Sequence, residues 1–266
     1  NSVFMVEGHA IACSENIGLL YSGDDGQTWT FSNKIDDSFK SVYMMEDGYA
    51  IACSYSNTGL WYSNNNGQTW TQSNKIDNSF NSVFMVADNA IACGNNGIWK
   101  STNYGTIWEQ CKIDGEPIQG VFNSVYIVEA NIIAVGVGVL YYSINSGNTW
   151  NTPNLSYGLQ SIIFNSVFML GTHAVVSGNN GLWYSDDSGI NWKPSTKDNK
   201  PIIGRFDSVY MAIINYIGYV VAGGDETKGI WYSTDYGETF QQSNIKNILF
   251  ISKKTYRGNI IVPEKI

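Results

Sequence analysis

The chain has 266 residues, 15 Lys+Arg against 23 Asp+Glu for a formal charge of −8, and only 14% charged residues. That length fits two average domains or one large all-β repeat unit. The acidic balance leaves little from which to build a phosphate-neutralising face, which argues against nucleic acid as a partner. So few charges mean a surface built largely of Asn, Ser, Thr, Gly and Tyr, and no stretch is apolar and long enough for a membrane span.

The first unit opens with Val3-Phe4-Met5-Val6, an unbroken apolar run of the kind expected for a strand covered on both faces. Ala10-Ile11-Ala12-Cys13 follows, then Gly18-Leu19-Leu20-Tyr21, a polar turn, and Thr28-Trp29. Four short runs rich in Val, Ile, Tyr, Trp and Thr between Gly, Asn and Asp turns read as four strands. The pair Ser-Val, or Ser-Val followed by an aromatic, marks every unit. It stands at Ser2, Ser41, Ser82, Ser124, Ser166 and Ser208, at spacings of 39, 41, 42, 42 and 42 residues. Four strands per roughly 40 residues, repeated, is the signature of propeller blades. The expected fold is therefore all-β, one β-propeller domain of four-stranded antiparallel blades. The repeats run over about 1–40, 41–81, 82–123, 124–165, 166–207 and 208–246.

Past Gln242 the phase continues. Ser32 to Phe39, Ser73 to Phe80 and Ser243 to Phe250 are each seven residues, and Ser252 falls where Ser41 does. Residues 247–266 thus read as a partial seventh repeat. Seven blades, the last incomplete in this chain, are favoured over six with a packed tail. The chain begins at a Ser-Val without the Phe that stands two residues before the others, which reads as a trimmed or processed N-terminus.

Between the third and fourth strands lies the most specific pattern, Ser-x-Asp/Asn-x-Gly-x-x-Trp/Phe. Its residues are Ser22, Asp24, Gly26 and Trp29; Ser63, Asn65, Gly67 and Trp70; Ser101, Asn103, Gly105 and Trp108; Ser143, Asn145, Gly147 and Trp150; Ser185, Asp187, Gly189 and Trp192; and Ser233, Asp235, Gly237 and Phe240. The Asp or Asn oxygen suits backbone N–H groups that a tight turn leaves unpaired. The Gly suits a positive φ. All nine tryptophans fall at two repeat positions, the third strand and the end of this motif, and read as core.

The motif resembles the Asp box, or bacterial neuraminidase repeat, of sialidases, some cell-wall glucanases, sortilin-type receptors and photosystem II assembly/stability factor propellers. The resemblance covers all six units. It implies a propeller in which the box is a structural hairpin away from the ligand face. Asn replaces Asp in three boxes, which is immaterial to a turn.

Sialidase chemistry is disfavoured: those enzymes clamp a carboxylate with three Arg, and this chain has two, Arg205 and Arg257. No spacing marks the acid pair a glycosidase needs. No catalytic residue, metal ligand or cofactor is assigned. His9 and His173 share a repeat position before the second strand and read as polar turn filler. Cys13, Cys53 and Cys93 also share one position and, with Cys111, read as small buried hydrophobes rather than disulfides. The connections from fourth strand to next first strand share one face and carry Asp36, Asp77, Asp114 and Asp198 at similar offsets. They are a candidate ligand face, or turn-opening Asp residues. The irregular loops Gly115 to Val121, Tyr157 to Ile163 and Lys200 to Arg205 are candidates for specific recognition. The expected role is a non-enzymatic scaffold that binds a protein or glycan through one face. A carbohydrate-active propeller and an assembly chaperone are the alternatives.

Overall fold

A computed structural model describes residues 1–35, 37–75, 77–155, 162–225 and 228–243. Among these residues there is no helix, and six larger sheets, with two small two-stranded hairpins between them, follow one another in chain order. Sheet 1 is Ser2–Val6, His9–Ser14, Gly18–Ser22 and Thr30–Phe31; sheet 2 is Phe39–Met44, Ala50–Ser54, Leu60–Ser63 and Thr71–Gln72. Sheet 3 starts at Phe80–Val86 and repeats the same four-strand meander. Sheet 4, from Phe122–Val128, has three strands and a single bridge, Tyr142 to Asn151, in place of the fourth. Sheet 5, from Phe164–Leu170, gains a fifth strand, Asn154–Leu155, which pairs parallel with Asn191–Pro194. Sheet 6 is Phe206–Ile214, Ile217–Gly224, Ile230–Ser233 and Gln241–Gln242. The partial seventh repeat, 247–266, lies outside the described residues.

The first strands of consecutive sheets pack side by side, so the sheets fan around an axis as propeller blades do. Each first strand after sheet 1 carries a bulge at Lys40, Asn81, Asn123, Asn165 or Asp207. The extra residue switches side-chain parity. Phe39 therefore packs with Val42 and Met44 against the preceding sheet's Ile11, Cys13 and Leu19, while Tyr43 turns to the other side. The bulged amides tie sheet to sheet. Asn81, Asn123 and Asn165 donate to the carbonyls of Phe122, Phe164 and Phe206 in the next sheet, at 2.7, 2.8 and 2.9 Å. The marker serines do likewise. Ser2, Ser41, Ser82, Ser124 and Ser166 each accept, at 3.3–3.5 Å, the N–H of the Val one repeat on.

The second strand is fully buried in sheet 2, Ala50 to Ser54, because small side chains let three sheets approach closely. All four cysteines are free and buried. Burial pushes the thiols of Cys13 and Cys111 up to about 12 and that of Cys53 further up.

Among the described residues the five interfaces between consecutive sheets are alike, and the outer faces of sheets 1 and 6 have no neighbouring sheet. Trp70, Trp108, Trp150, Trp192 and Phe240 are 2–3% exposed, whereas their equivalent Trp29 is 38% exposed. Val3 and Met5, at 39% and 41%, depart in the same way from their buried equivalents Val42 and Met44. Gly67 lies against Ile11 and Gly105 against Ile51 of the preceding sheet, while among the described residues Gly26 meets nothing but its own Trp29. The Trp29 side chain is thus core by position and half-open in fact.

Candidate functional site: an axial cavity and the two ends of the ring

The Ser-Val-aromatic position builds the centre of the molecule. Phe4, Tyr43, Phe84, Tyr126, Phe168 and Tyr210 form a continuous column of rings, alternating Phe and Tyr, with centroids 4.0–4.7 Å apart and planes tilted by 39–59°. Such tilted, offset contacts satisfy the ring quadrupoles. These six with Leu170, Met211, Ala212 and Ile213 line a cavity of about 400 Å³. Among the described residues its only side-chain hydrogen-bonding groups are three phenols. Burial pushes Tyr43 up to about 12 and raises Tyr210; burial and then the neighbouring Tyr43 and Tyr210 raise Tyr126. The phenols therefore stay neutral across the physiological range, and the cavity lining carries no formal charge.

At one end of the ring lie the turns between first and second strands together with the box turns. Each box is one hydrogen-bonded unit. The Ser hydroxyl donates to the Asp or Asn side chain at 2.6–3.0 Å and accepts the Gly N–H at 2.9–3.1 Å. The acid or amide oxygen then accepts the N–H four residues on, as in Thr28, Thr69 and Asn191. The Trp indole closes the turn on the Gly carbonyl, at 2.9 Å for Trp70. Sequence reasoning put the positive φ on the Gly alone. The preceding residue is left-handed too, at Asp25, Asn66, Tyr104, Ser146, Ser188 and Tyr236, with φ of 56–61°. What holds it there is a bond from its N–H to the first hairpin of the same sheet, such as Asp25 to Gly8 and Tyr236 to Gly218. Tyr236 also stacks on His173, at 3.9 Å between centroids, as Tyr104 does on Tyr49. His173 and His9 are half-buried strand residues rather than exposed filler.

The opposite end carries the connections between sheets. Asp77 is exposed and bonded to Lys75, whose ammonium lies 3.9 Å from the Trp99 ring; that hydrogen bond is the leading cause holding the Asp77 carboxyl low. Asp114 and Asp198 sit at the tips of two-residue turns, with φ of 52° each, inside small hairpins Lys112–Ile113 with Glu116–Pro117 and Thr196–Lys197 with Lys200–Pro201. Asp36 lies outside the described residues, as does most of the loop Tyr157 to Ile163. Among the described residues no three His, Cys, Asp or Glu side chains come together to hold a metal ion. The acid that sequence reasoning missed is Asp37. It is buried and accepts from Ser56, from Thr58 at 2.6 Å and from the Ser38 N–H at 2.7 Å, with Lys34 at 3.4 Å. Burial opposes its ionisation, but these bonds outweigh it and the carboxyl is held low. Its role is to pin the connection 32–39 to the turn 55–59. The column of rings was also missed as a site, although its signal, one aromatic after each Ser-Val, stood in the sequence.

No family model matches the chain, and no curated protein matches it. Solved structures do. An ancestral GH74 enzyme aligns at TM-score 0.70 and 14% identity over 86% of this chain and 35% of its own, so this chain spans about a third of that enzyme's length. YCF48 bound to D1 peptide aligns at TM-score 0.65 and 18% identity over 91% of this chain and 80% of its own. YCF48 from Cyanidioschyzon merolae aligns at 0.59 and 16% over 91% and 84%. With the sheet order and the repeated box turns, these likenesses make the fold a β-propeller, in keeping with the Asp-box type that the sequence resembles.

Proposed function

We propose that this protein is a non-enzymatic binding scaffold, a propeller that takes a protein segment or a glycan at one end of its ring. The observation that carries this reading is the axial cavity. Its ten lining residues are aromatic or aliphatic, and its polar groups are phenols held neutral by burial. A pocket of a few hundred Å³ with mostly apolar walls and a few convergent hydroxyls is suited to holding a group. Glycoside hydrolysis asks for two carboxyls flanking the bond, and among the described residues none lines this cavity. Between protein and glycan, the cavity favours protein, because a sugar leaves many hydroxyls needing partners that three phenols do not supply. The likeness to YCF48 bound to a peptide supports the same choice. Of the two ends, the connection end carries Asp77, Asp114 and Asp198, and the hairpin end carries Met211, Ala212 and Ile213 of the cavity wall; recognition is assigned to the cavity.

The same proposal includes a blade count of seven, the last one incomplete in this chain and represented by the partial repeat 247–266, with six as the alternative. Supporting it are the outer faces of sheets 1 and 6, which no other described residue covers, and the unbroken phase from Ser243 to Ser252.

The test is a pair of arrays, one of immobilised peptides and one of glycans, probed with the whole chain, beside a reducing-sugar assay on a panel of polysaccharides. Saturable peptide binding supports the reading. Binding confined to glycans moves it to a lectin. Sugar release that scales with protein and disappears on heat denaturation overturns it in favour of a carbohydrate-active enzyme.

A further inference from the structure

The first hairpin of sheet 6 is longer than its counterparts. Its strands, Phe206–Ile214 and Ile217–Gly224, have nine and eight residues, against five to seven and five or six elsewhere. The extension is apolar and uncovered: Ile213, Ile214, Tyr216 and Ile217 are exposed, Tyr216 at 97%. Ala212 and Ile213 belong to both this tongue and the cavity wall, so the tongue flanks the cavity's hairpin end. The corresponding turns of sheets 1 to 4 differ in kind. They carry Glu7, Glu46 with Asp47, Asp88 and Glu129, all exposed. No Lys or Arg stands in any of the six turns. Among the described residues none of these five acids forms an ion pair. The hairpin end thus presents an acidic arc on one side, an apolar tongue on the other and an uncharged aromatic cavity between them.

We infer that this hairpin end is the docking surface for a basic, partly apolar polypeptide segment. One uncharged apolar side chain enters the axial cavity. Neighbouring apolar side chains lie along Ile213 to Ile217, and Lys or Arg side chains face Glu7, Glu46, Asp47, Asp88 and Glu129. The inference deepens the scaffold reading and rests on it. The chemistry of the occupant follows from complementarity. A neutral cavity that holds no counter-charge admits an apolar group and rejects a bare ion. A rim of one charge sign selects the opposite sign and speeds its arrival. An extended tongue of three isoleucines and a tyrosine at the surface of a water-exposed domain is the kind of patch that marks an interaction site.

The test uses the whole chain and a fluorescein-labelled hexapeptide, Lys-Leu-Lys-Trp-Lys-Leu, with two companion probes. One companion replaces every Lys by Glu, the other every Leu and Trp by Gly. Saturable binding of the first probe and none of either companion is expected. Glu46→Gln with Asp88→Asn should weaken the first probe about tenfold, a loss of roughly 1.4 kcal/mol at RT of about 0.59 kcal/mol. Glu15→Gln with Glu116→Gln, the same charge change away from the hairpin end, should leave it unchanged. Raising salt from about 0.05 to about 0.5 M should weaken it as well, because exposed charges are screened. Ala212→Trp, which fills the cavity, should reduce the first probe to the level of its Gly companion, with the circular dichroism spectrum retained. Equal effects of the two double variants, or equal binding of the first probe and its Gly companion, would overturn the inference. If no form of the Lys-Leu probe binds while an array yields another saturable ligand, the docking surface is refuted and the scaffold reading stands.

Discussion

Three of the six box turns are built on an ionisable carboxyl and three on a neutral amide, with the same geometry in both. Asp24 accepts the Thr28 N–H at 2.8 Å and Asn65 the Thr69 N–H at 3.0 Å. The difference appears only on titration. Hydrogen bonds from Thr28, side chain first, hold Asp24 at about 2. For Asp187 and Asp235 burial opposes ionisation, yet the bonds from Asn191 and Ser185, and from Ser233 and Thr239, hold them below the usual range. A carboxyl whose folded pKa is lowered contributes stability above its unfolded value and loses it as pH falls through the folded one. As pH falls below 3.8, therefore, the turns of sheets 1, 5 and 6 should loosen, that of sheet 1 by about pH 2, while those of sheets 2, 3 and 4 hold. Hydrogen exchange over that window should show Thr28, Asn191 and Thr239 amides losing protection and Thr69, Ile107 and Thr149 keeping it. Uniform loss across all six would mean that the carboxyls do not govern the turns. The thiols give a second residue-scale prediction. With Cys13 and Cys111 pushed up to about 12 and all four cysteines buried, no thiol of the native protein should react with a disulfide reagent at pH 8 within minutes. All four should react once the chain is unfolded. Both the box and the cysteine reading were legible in the sequence, because each depends on neighbours within eight residues or on residue type alone.

At the scale of the sheet, what decides stability is the contact a turn makes with the preceding sheet. Gly26 and Gly67 are equivalent and both left-handed, at φ of 78° and 74°. A Cβ on Gly67 would stand 2.4 Å from the Ile11 side chain, whereas one on Gly26 meets, among the described residues, only Trp29 at 3.7 Å. Gly26→Ala should cost the left-handed penalty, about 1–2 kcal/mol. Gly67→Ala adds overpacking of a closed interface, about 1–3 kcal/mol more. Denaturant unfolding of the two variants reads the difference directly, and equal losses would contradict the packing described here. This asymmetry was not legible in the sequence, since the two boxes read SGDDGQTW and SNNNGQTW and nothing in either says which has a neighbour. The column of rings was hidden for a related reason. Simple alternation puts Phe39, Ser41 and Tyr43 on one face. The bulge at Lys40 moves Phe39 to the face of Val42 and Met44 and leaves Tyr43 to the axis. A bulge is a property of the pairing between two strands, so a single strand's pattern does not reveal it.

For the whole molecule, the outer faces of sheets 1 and 6, uncovered among the described residues, are the feature from which most follows. Stability in a repeat protein is close to a sum of unit and nearest-neighbour interface terms. A unit with one interface is therefore less protected than a unit with two, and sheets 3 and 4 should exchange more slowly than sheet 1. The proposed seventh blade changes that expectation at both ends at once. Val3, Met5 and Trp29 are each about two-fifths exposed among the described residues. Covering that fraction of three large apolar side chains is worth about 2–4 kcal/mol at roughly 1.5–3 kcal/mol per fully buried side chain. Removing residues 244–266 should then destabilise the chain by at least that amount. It should also make Trp29 the tryptophan most readily quenched by acrylamide, which Trp29→Phe in the full and shortened chains isolates. If six blades and a tail is the true arrangement, the shortened chain keeps its stability, and Trp29 is quenched equally in both. The two outcomes also bear on the axial cavity. A seventh first strand beside Tyr210 would extend its wall, so peptide affinity should fall with the shortening in the first case and stay unchanged in the second.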